Sequence, residues 1–413
     1  MNGPSAKRNV LLVVVDSLRA DVAYDASVPT PNIDALGRRG AVFSQCVATA
    51  TTTTPSFASM LTGCYPPRHG VRGLQGYRLS PGVTTMAETF AEAGYETHAE
   101  VTGPLLPETG VLRGFAAIRH RPGYRAPFFG WRDALVERMA SYAEPWLLLL
   151  HVWEVHRPFR PPPTYAKRWD RRGYEAVVSA TDRELGPVLE AAGESALVVL
   201  TGDHGEEYPD SELQRLVLRG GRRARQWLRP RRWWPELDRR LAALATGHGF
   251  ALYEHLVRVP LVVAGPGVGP VSVADQVRHI DLFPTLADLC AVGHPAGLDG
   301  RSLRPLIEGE PLPEAPAYME AVGVRLEGDR IEAVRTPQWK LVKPGRGRPA
   351  LYRLDGRGGP NERRSLLRSR GDVAARLDAA RRRVLESGAA EEFPMSREEE
   401  AVVEQHLRDL GYL

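Results

Sequence analysis

Cysteine is scarce in this sequence, with three in 413 residues, at Cys46, Cys64 and Cys290. An odd number spread so widely matches neither a disulfide framework nor the paired spacing of a zinc module. The three read as small buried hydrophobes, and the fold must rest on a hydrophobic core, which a chain of this length can build. Long apolar runs are also missing. The run Val10–Val15 is stopped by Asp16, well short of the roughly 20 residues of a spanning helix and unlike a signal peptide in layout. A reducing, cytoplasmic location is the resulting expectation. Strong charge of one sign is absent too: 54 basic against 50 acidic residues give a net +4, which names no partner. No internal repeat stands out.

The basic charge is concentrated. Between Arg215 and Arg240 arginines crowd around Trp227, Trp233 and Trp234, inside a stretch, 206–247, that has no apolar alternation suited to a sheet and reads as an insertion. Such a patch suits either a solvated lid or peripheral contact with an anionic membrane, where tryptophans seat at headgroup level. Nucleic acid is not expected as a partner, because no recognised module accompanies the charge.

The apolar runs that do occur are short, and each is followed by a helical pattern: Val10–Val15, Thr97–Val101, Leu147–Leu150, Ala196–Leu200 and Pro260–Ala264. Their alternation predicts an α/β fold with a largely parallel, buried sheet flanked by helices over residues 1–308. From 309 to 413 the pattern changes. Ala333–Lys343 and Ala350–Leu354 read as short strands around the turn 344–347, and Val373–Leu385 as a charged amphipathic helix, predicting a smaller α+β lobe. Ligands of parallel sheets sit beyond the carboxyl ends of the strands. The polar residues there are Asp16, His151, and Thr201 through Gly205 with Asp203 and His204.

Thr53 stands at the start of a further helical pattern, with Thr54 placed to cap it and Pro55 suited to its first position. A helix N-terminus offers free N–H groups and partial positive charge to an anion. A threonine hydroxyl needs a base or a metal to act as a nucleophile. Asp16, Asp203 and His204 form a carboxylate and imidazole set suited to manganese, zinc or magnesium.

These pieces resemble the sulfatase-like branch of the alkaline phosphatase superfamily. The matching segments are Asn9–Asp21, Thr30–Leu36, Thr53–Gly63, His156–Phe159, Thr201–Glu206, Leu252–Val262, Ile280–Leu286 and Leu298–Leu303, in family order over nearly the whole chain. The resemblance implies an alkaline phosphatase-like fold and one or two divalent ions per chain, calcium among the candidates. It also implies metal ligation by Asp16, Thr53, Asp203 and His204, with Thr53 as nucleophile. His156 and His248 fall where the family places substrate-binding or acid/base groups; His248 could equally be a phosphate contact or a second-metal ligand.

The departures redirect the chemistry. Sulfatases of this type carry Cys-x-Pro-Ser-Arg, whose cysteine becomes formylglycine; here Thr53 and Phe57 occupy the cysteine and arginine positions, so formylglycine is excluded. Ser17 replaces a second aspartate. The resemblance then implies phosphate esters as substrates of a hydrolase or transferase, cleaved through a covalent phosphothreonine on Thr53 that water or an acceptor alcohol releases, with sulfuric ester hydrolysis as the alternative. A further alternative is a weakly catalytic protein binding an anionic metabolite or membrane surface. The expected partner is a small anionic ester, free or linked to lipid or glycan.

Overall fold

The computed structural model describes residues 7–121, 128–163, 165, 173–208, 248–322, 330–345, 347–354, 362, 364–388 and 393–412. Two sheets organise it. The larger has eight strands: β1 Val10–Val15, β2 Ala41–Val47, β3 Glu96–Val101, β4 Ala117–His120, β5 Trp146–Val152, β6 Leu197–Gly202, β7 Arg258–Ala264 and β8 Val271–Arg278, in the order β4-β3-β5-β1-β6-β7-β2-β8. All pairings are parallel except those of β7 with β6 and β2. The mixed, mostly parallel α/β architecture expected from the sequence is therefore present.

The centre of this sheet explains why its strands are so apolar. Every residue of β1, β5 and β6 is buried. Along β1, Val10, Leu12 and Val14 enter one core with Phe57, Met60 and Phe90. Leu11, Val13 and Val15 enter the other with Ile33, Leu135 and Val177. A strand covered on both faces cannot alternate with polar residues. Burying each valine or leucine contributes about 1.5–3 kcal/mol. Helices Thr53–Thr62, Met86–Glu92 and Leu282–Leu289 cover the first face, and Pro31–Arg39, Phe128–Met139 and Gly173–Ala192 the second.

The smaller sheet is antiparallel, ordered β12-β11-β10-β9, from β9 Ala317–Ala321, β10 Ile331–Arg335, β11 Trp339–Pro344 and β12 Ala350–Arg353. One face packs on Val373, Leu377 and Ala380 of the helix Gly371–Ser387, the other on Val47, Leu252 and Val257. The expected strand Ala333–Lys343 is two strands, because Thr336-Pro337-Gln338 forms a turn closed by Thr336 N–H donating to Trp339 O at 2.8 Å. A buried ion cluster lies where this sheet meets the rest. Arg335 Nη2 and Lys340 Nζ reach the Glu254 carboxylate at 3.0 and 3.2 Å, and Lys340 reaches Glu362 at 2.7 Å.

All three cysteines are free and buried. No helix of the described residues is long and apolar enough to cross a membrane. Most of the expected insertion, and with it the arginine and tryptophan cluster at 215–240, lies outside the described residues.

Candidate active site

Strand register assembles the site. Val15 pairs with Val152 on β5 and with Gly202 on β6, so Asp16, Trp153 and Asp203 stand side by side one residue beyond the sheet. Past Asp16 the chain turns sharply, with Ser17 at φ 62°. That left-handed turn aims the Ser17 N–H at Asp203 Oδ1, 2.9 Å away, while Ser17 Oγ donates to Asp16 Oδ1 at 2.8 Å. Gly202 is required by this close approach, since a Cβ there would meet the Leu18 carbonyl oxygen at 2.5 Å. Ser17 thus braces the carboxylates of Asp16 and Asp203.

The helix Thr53–Thr62 points its N-terminus at the same spot. Its N-cap is Thr52, not Thr54, and no threonine side chain caps it. Thr53 is the first helical residue, and its hydroxyl donates to Asp16 Oδ2 at 3.0 Å. Thr53 therefore lies inside the helix and does not cap it, which leaves its hydroxyl to Asp16. Ser56 Oγ donates to the Asp203 carbonyl at 2.6 Å, tying the helix to β6. Phe57 sets its ring edge-on to His151, with centroids 4.9 Å apart.

Oxygen and nitrogen donors converge around Asp16 and Asp203. One ligand atom each from Asp16, His151 and Asp203 lies within 4.8 Å of the others. His151 Nε2 is 3.4 Å from Asp16 Oδ2, and His204 Nε2 is 3.3 Å from Asp203 Oδ2. Asp203 Oδ2, His204 Nε2 and His151 Nε2 are buried with no hydrogen-bond partner among the described residues. Buried polar atoms without partners are costly. Burial and the neighbouring Asp16 charge push the Asp203 carboxyl well above the usual range. Burial would raise Asp16 as well, but the nearby His151, His156 and His204 rings hold it far below. Hard carboxylates with imidazoles at this spacing fit a divalent cation, which would relieve both the orphaned atoms and the paired charge.

A second cluster stands beside the first. Ligand-type atoms of His156, Glu206 and His248 lie within 4.8 Å of one another. His248 Nδ1 is 3.3 Å from Glu206 Oε2, whose other oxygen faces Arg157 Nε at 3.6 Å. His156 has both ring nitrogens engaged, Nδ1 with the Arg157 carbonyl at 2.7 Å and Nε2 with the Tyr412 hydroxyl at 2.8 Å. The ring centroid of His248 is 5.0 Å from that of His156 and 4.5 Å from that of His204. Burial lowers His156 to about 4 and His248 well below the ordinary histidine value, so both rings are neutral at neutral pH.

Asp16, Thr53, Asp203 and His204 are therefore brought together, with His156 and His248 in the adjoining cluster. Three neighbours were not among the residues singled out for a role. His151 was noted as a strand end but sits inside an apolar run, Glu206 follows the Asp-His pair closely, and Tyr412 comes from the far end of the chain.

Two carboxylates, a helix N-terminus and several histidines thus gather at the carboxyl ends of β1, β5 and β6 in an eight-stranded mixed sheet. The Sulfatase family model matches residues 8–292, and the chain belongs to that family. It is 24% identical to an ulvan-active sulfatase of Formosa agariphila, over 87% of this chain and 77% of that protein. It is 23% identical to a delta 4,5-hexuronate-2-O-sulfatase of Bacteroides thetaiotaomicron, over 88% and 85%. In structure it resembles a phosphonate monoester hydrolase of Agrobacterium radiobacter, with a TM-score of 0.70, 18% identity, and coverage of 92% and 96%. That likeness is one of fold. The protein is a hydrolase acting on sulfuric or phosphoric ester bonds.

Proposed function

We propose that this member of the family hydrolyses phosphate esters with Thr53 as nucleophile. One observation carries the reading: the Thr53 hydroxyl lies at a helix N-terminus, hydrogen-bonded to Asp16 Oδ2 at 3.0 Å. A threonine ester has no second hydroxyl on the carbon that bears it. The anion must leave by attack of water at the central atom, a route phosphoryl groups take readily.

Asp16, Asp203 and His204, with Thr53 and the nearby His151, would hold a divalent ion. When bound, such an ion supplies Lewis-acid polarisation of the hydroxyl and of the ester oxygens. In the first half-reaction a bond forms from Thr53 Oγ1 to phosphorus as the bond to the leaving oxygen breaks. The hydroxyl proton leaves along the bond to Asp16 and passes through solvent to the leaving oxygen, so the half-reaction is proton-neutral. The free N–H groups of the Thr53–Thr62 helix stabilise charge on the non-bridging oxygens. In the second half water attacks phosphorus, the phosphorus–Oγ1 bond breaks and Thr53 recovers its proton. His248, with Nδ1–H on Glu206, presents Nε2 as the base for that water.

A sulfuric ester is the second reading, favoured by the named activities of the relatives at 23–24% identity. Those names also support a glycan as the carrier of the ester. Aryl phosphate, aryl phosphodiester and aryl sulfate, each assayed with manganese, zinc, magnesium and calcium, separate the two. The phosphate esters are expected to be faster, and acid quenching should trap a phosphoryl group on Thr53. Thr53→Ala should lose at least about a thousandfold in kcat. Parental turnover by that variant would remove Thr53 from the chemistry.

A further inference from the structure

The Tyr412 hydroxyl touches a site residue 256 positions away, and nothing in the mechanism above uses it. The bond has a defined direction. A carbonyl only accepts, so His156 Nδ1 must carry the proton it shares with Arg157 O, 2.7 Å away. Nε2 is then a lone pair, and Tyr412 is the donor at 2.8 Å.

The approach of Tyr412 is built, not incidental. The helix Arg397–Asp409 opens with a capping box of Ser396 and Glu399. It docks through Val403 and Leu407 against Leu74, aided by Arg78–Glu399 at 2.7 Å and by His406 Nε2 on Gly103 O at 2.9 Å. It ends with Gly411 at φ 85°, Gly411 N–H bonded to Arg408 O at 2.9 Å and Tyr412 N–H bonded to Leu407 O at 2.9 Å. Those paired bonds around a left-handed glycine are the C-terminal stop that turns a chain back across its helix. Here the turn delivers Tyr412 among Trp153, His156 and His248, with ring centroids 6.4, 5.7 and 6.2 Å away. Gly103, bonded to this helix, is itself packed so closely on Trp153 that a Cβ would overlap the indole ring.

We propose that Tyr412 is a positioning residue. Its O–H holds the plane of His156, whose tautomer the Arg157 carbonyl already sets, beside the reacting ester, so that the C-terminal helix forms one wall of the catalytic pocket. The inference rests on the ester-hydrolase reading for its effect on rate, but not for the contact itself. The hydroxyl acts through the imidazole, so its loss should appear in kcat and leave ground-state binding nearly alone.

Tyr412→Phe keeps the ring packing and removes only the donor. With manganese and an aryl phosphate or aryl sulfate, kcat should fall about tenfold and KM should stay within about twofold, at unchanged metal content and melting temperature. Gly411→Ala, which has nothing within 4 Å of its added Cβ but holds an unfavourable φ, should lower kcat in the same direction from outside the pocket. In 15N-histidine spectra, with His156 assigned through His156→Gln, the Nε2 resonance of His156 should move by several ppm in Tyr412→Phe. Parental kcat together with an unmoved resonance would overturn the proposal and leave Tyr412 as packing. If the parent turns over neither ester, the activity reading has failed and the resonance alone decides: a shift upholds the contact, and no shift overturns it.

Discussion

Replacing Asp203 by asparagine should raise the stability of the metal-free protein and abolish its stabilisation by metal. Asp203 Oδ1 accepts the N–H groups of Ser17 and His204 at 2.9 and 2.8 Å, and an asparagine oxygen can accept both. The asparagine Nδ2 then replaces the partnerless Oδ2, facing the equally partnerless His204 Nε2 at the 3.3 Å position. Ligand atoms of Asp16 and Asp203 lie within 4.8 Å, where two full charges at an effective dielectric near 20 repel by about 3 kcal/mol. Without a cation the parent escapes part of this by protonating Asp203. Because burial and Asp16 raise that carboxyl, the parent holds its stability below the ordinary carboxylate range and loses it as pH rises above that range. A neutral amide at this position removes the slope.

Metal-free Asp203→Asn is therefore expected to exceed the parent by about 1–3 kcal/mol at pH 8, a few degrees in melting temperature for a chain this long, and the difference should close as pH falls below about 4. With cation at a thousandfold over its dissociation constant, the parent gains about 4.1 kcal/mol and the variant gains nothing, so the order reverses. Thermal scans of chelator-treated protein at both pH values, with and without manganese, read every arm. A metal-free variant less stable than the parent, or one that gains the parental increment on adding metal, would refute the placement of the cation at Asp16 and Asp203.

Two other outcomes follow from neighbouring groups. Glu206→Gln keeps an acceptor for His248 Nδ1 but removes the charge behind it, so kcat should drop at least about tenfold with metal content unchanged; loss of metal instead would make Glu206 a ligand. At the junction of the two sheets, burial opposes ionisation of Glu254, but Lys340 and Arg335 hold it at about 2. Its contribution is present above the ordinary glutamate range and is lost as pH falls toward 2. Glu254→Gln should cost about 3 kcal/mol at neutral pH and move the acid-unfolding midpoint upward, and overlaid acid curves would contradict this.

What could be read from the chain beforehand follows from where each residue is buried. β1, β5 and β6 announce themselves as apolar runs because both faces are covered. β4 and β8 do not, since β4 is half-buried or exposed throughout and β8 mixes exposed and buried positions, and β2 interrupts its apolar residues with Ser44 and Gln45. Pro337 was the available signal that Ala333–Lys343 could not be one strand, because a proline lacks the N–H that a ladder needs.

The site divides along the same physical line. Asp16 and Asp203 are legible because a carboxylate ending a buried strand has nowhere to go except the sheet edge, and two such ends on paired strands must meet. His151 was legible as a strand end but given no role, because a single polar residue closing an apolar run is ordinarily a cap or turn residue; the register Val14–His151 places it on the strand beside β1. Tyr412 lies beyond this reasoning altogether. Its position depends on where a separate helix docks and on one left-handed glycine turning the chain back, and tertiary contacts of that kind leave no periodicity to read. Sequence patterns thus locate the groups that a strand delivers. A group delivered by the packing of a distant segment has to be found in three dimensions, which is why the residue touching His156 is the one that the family's motifs leave unmarked.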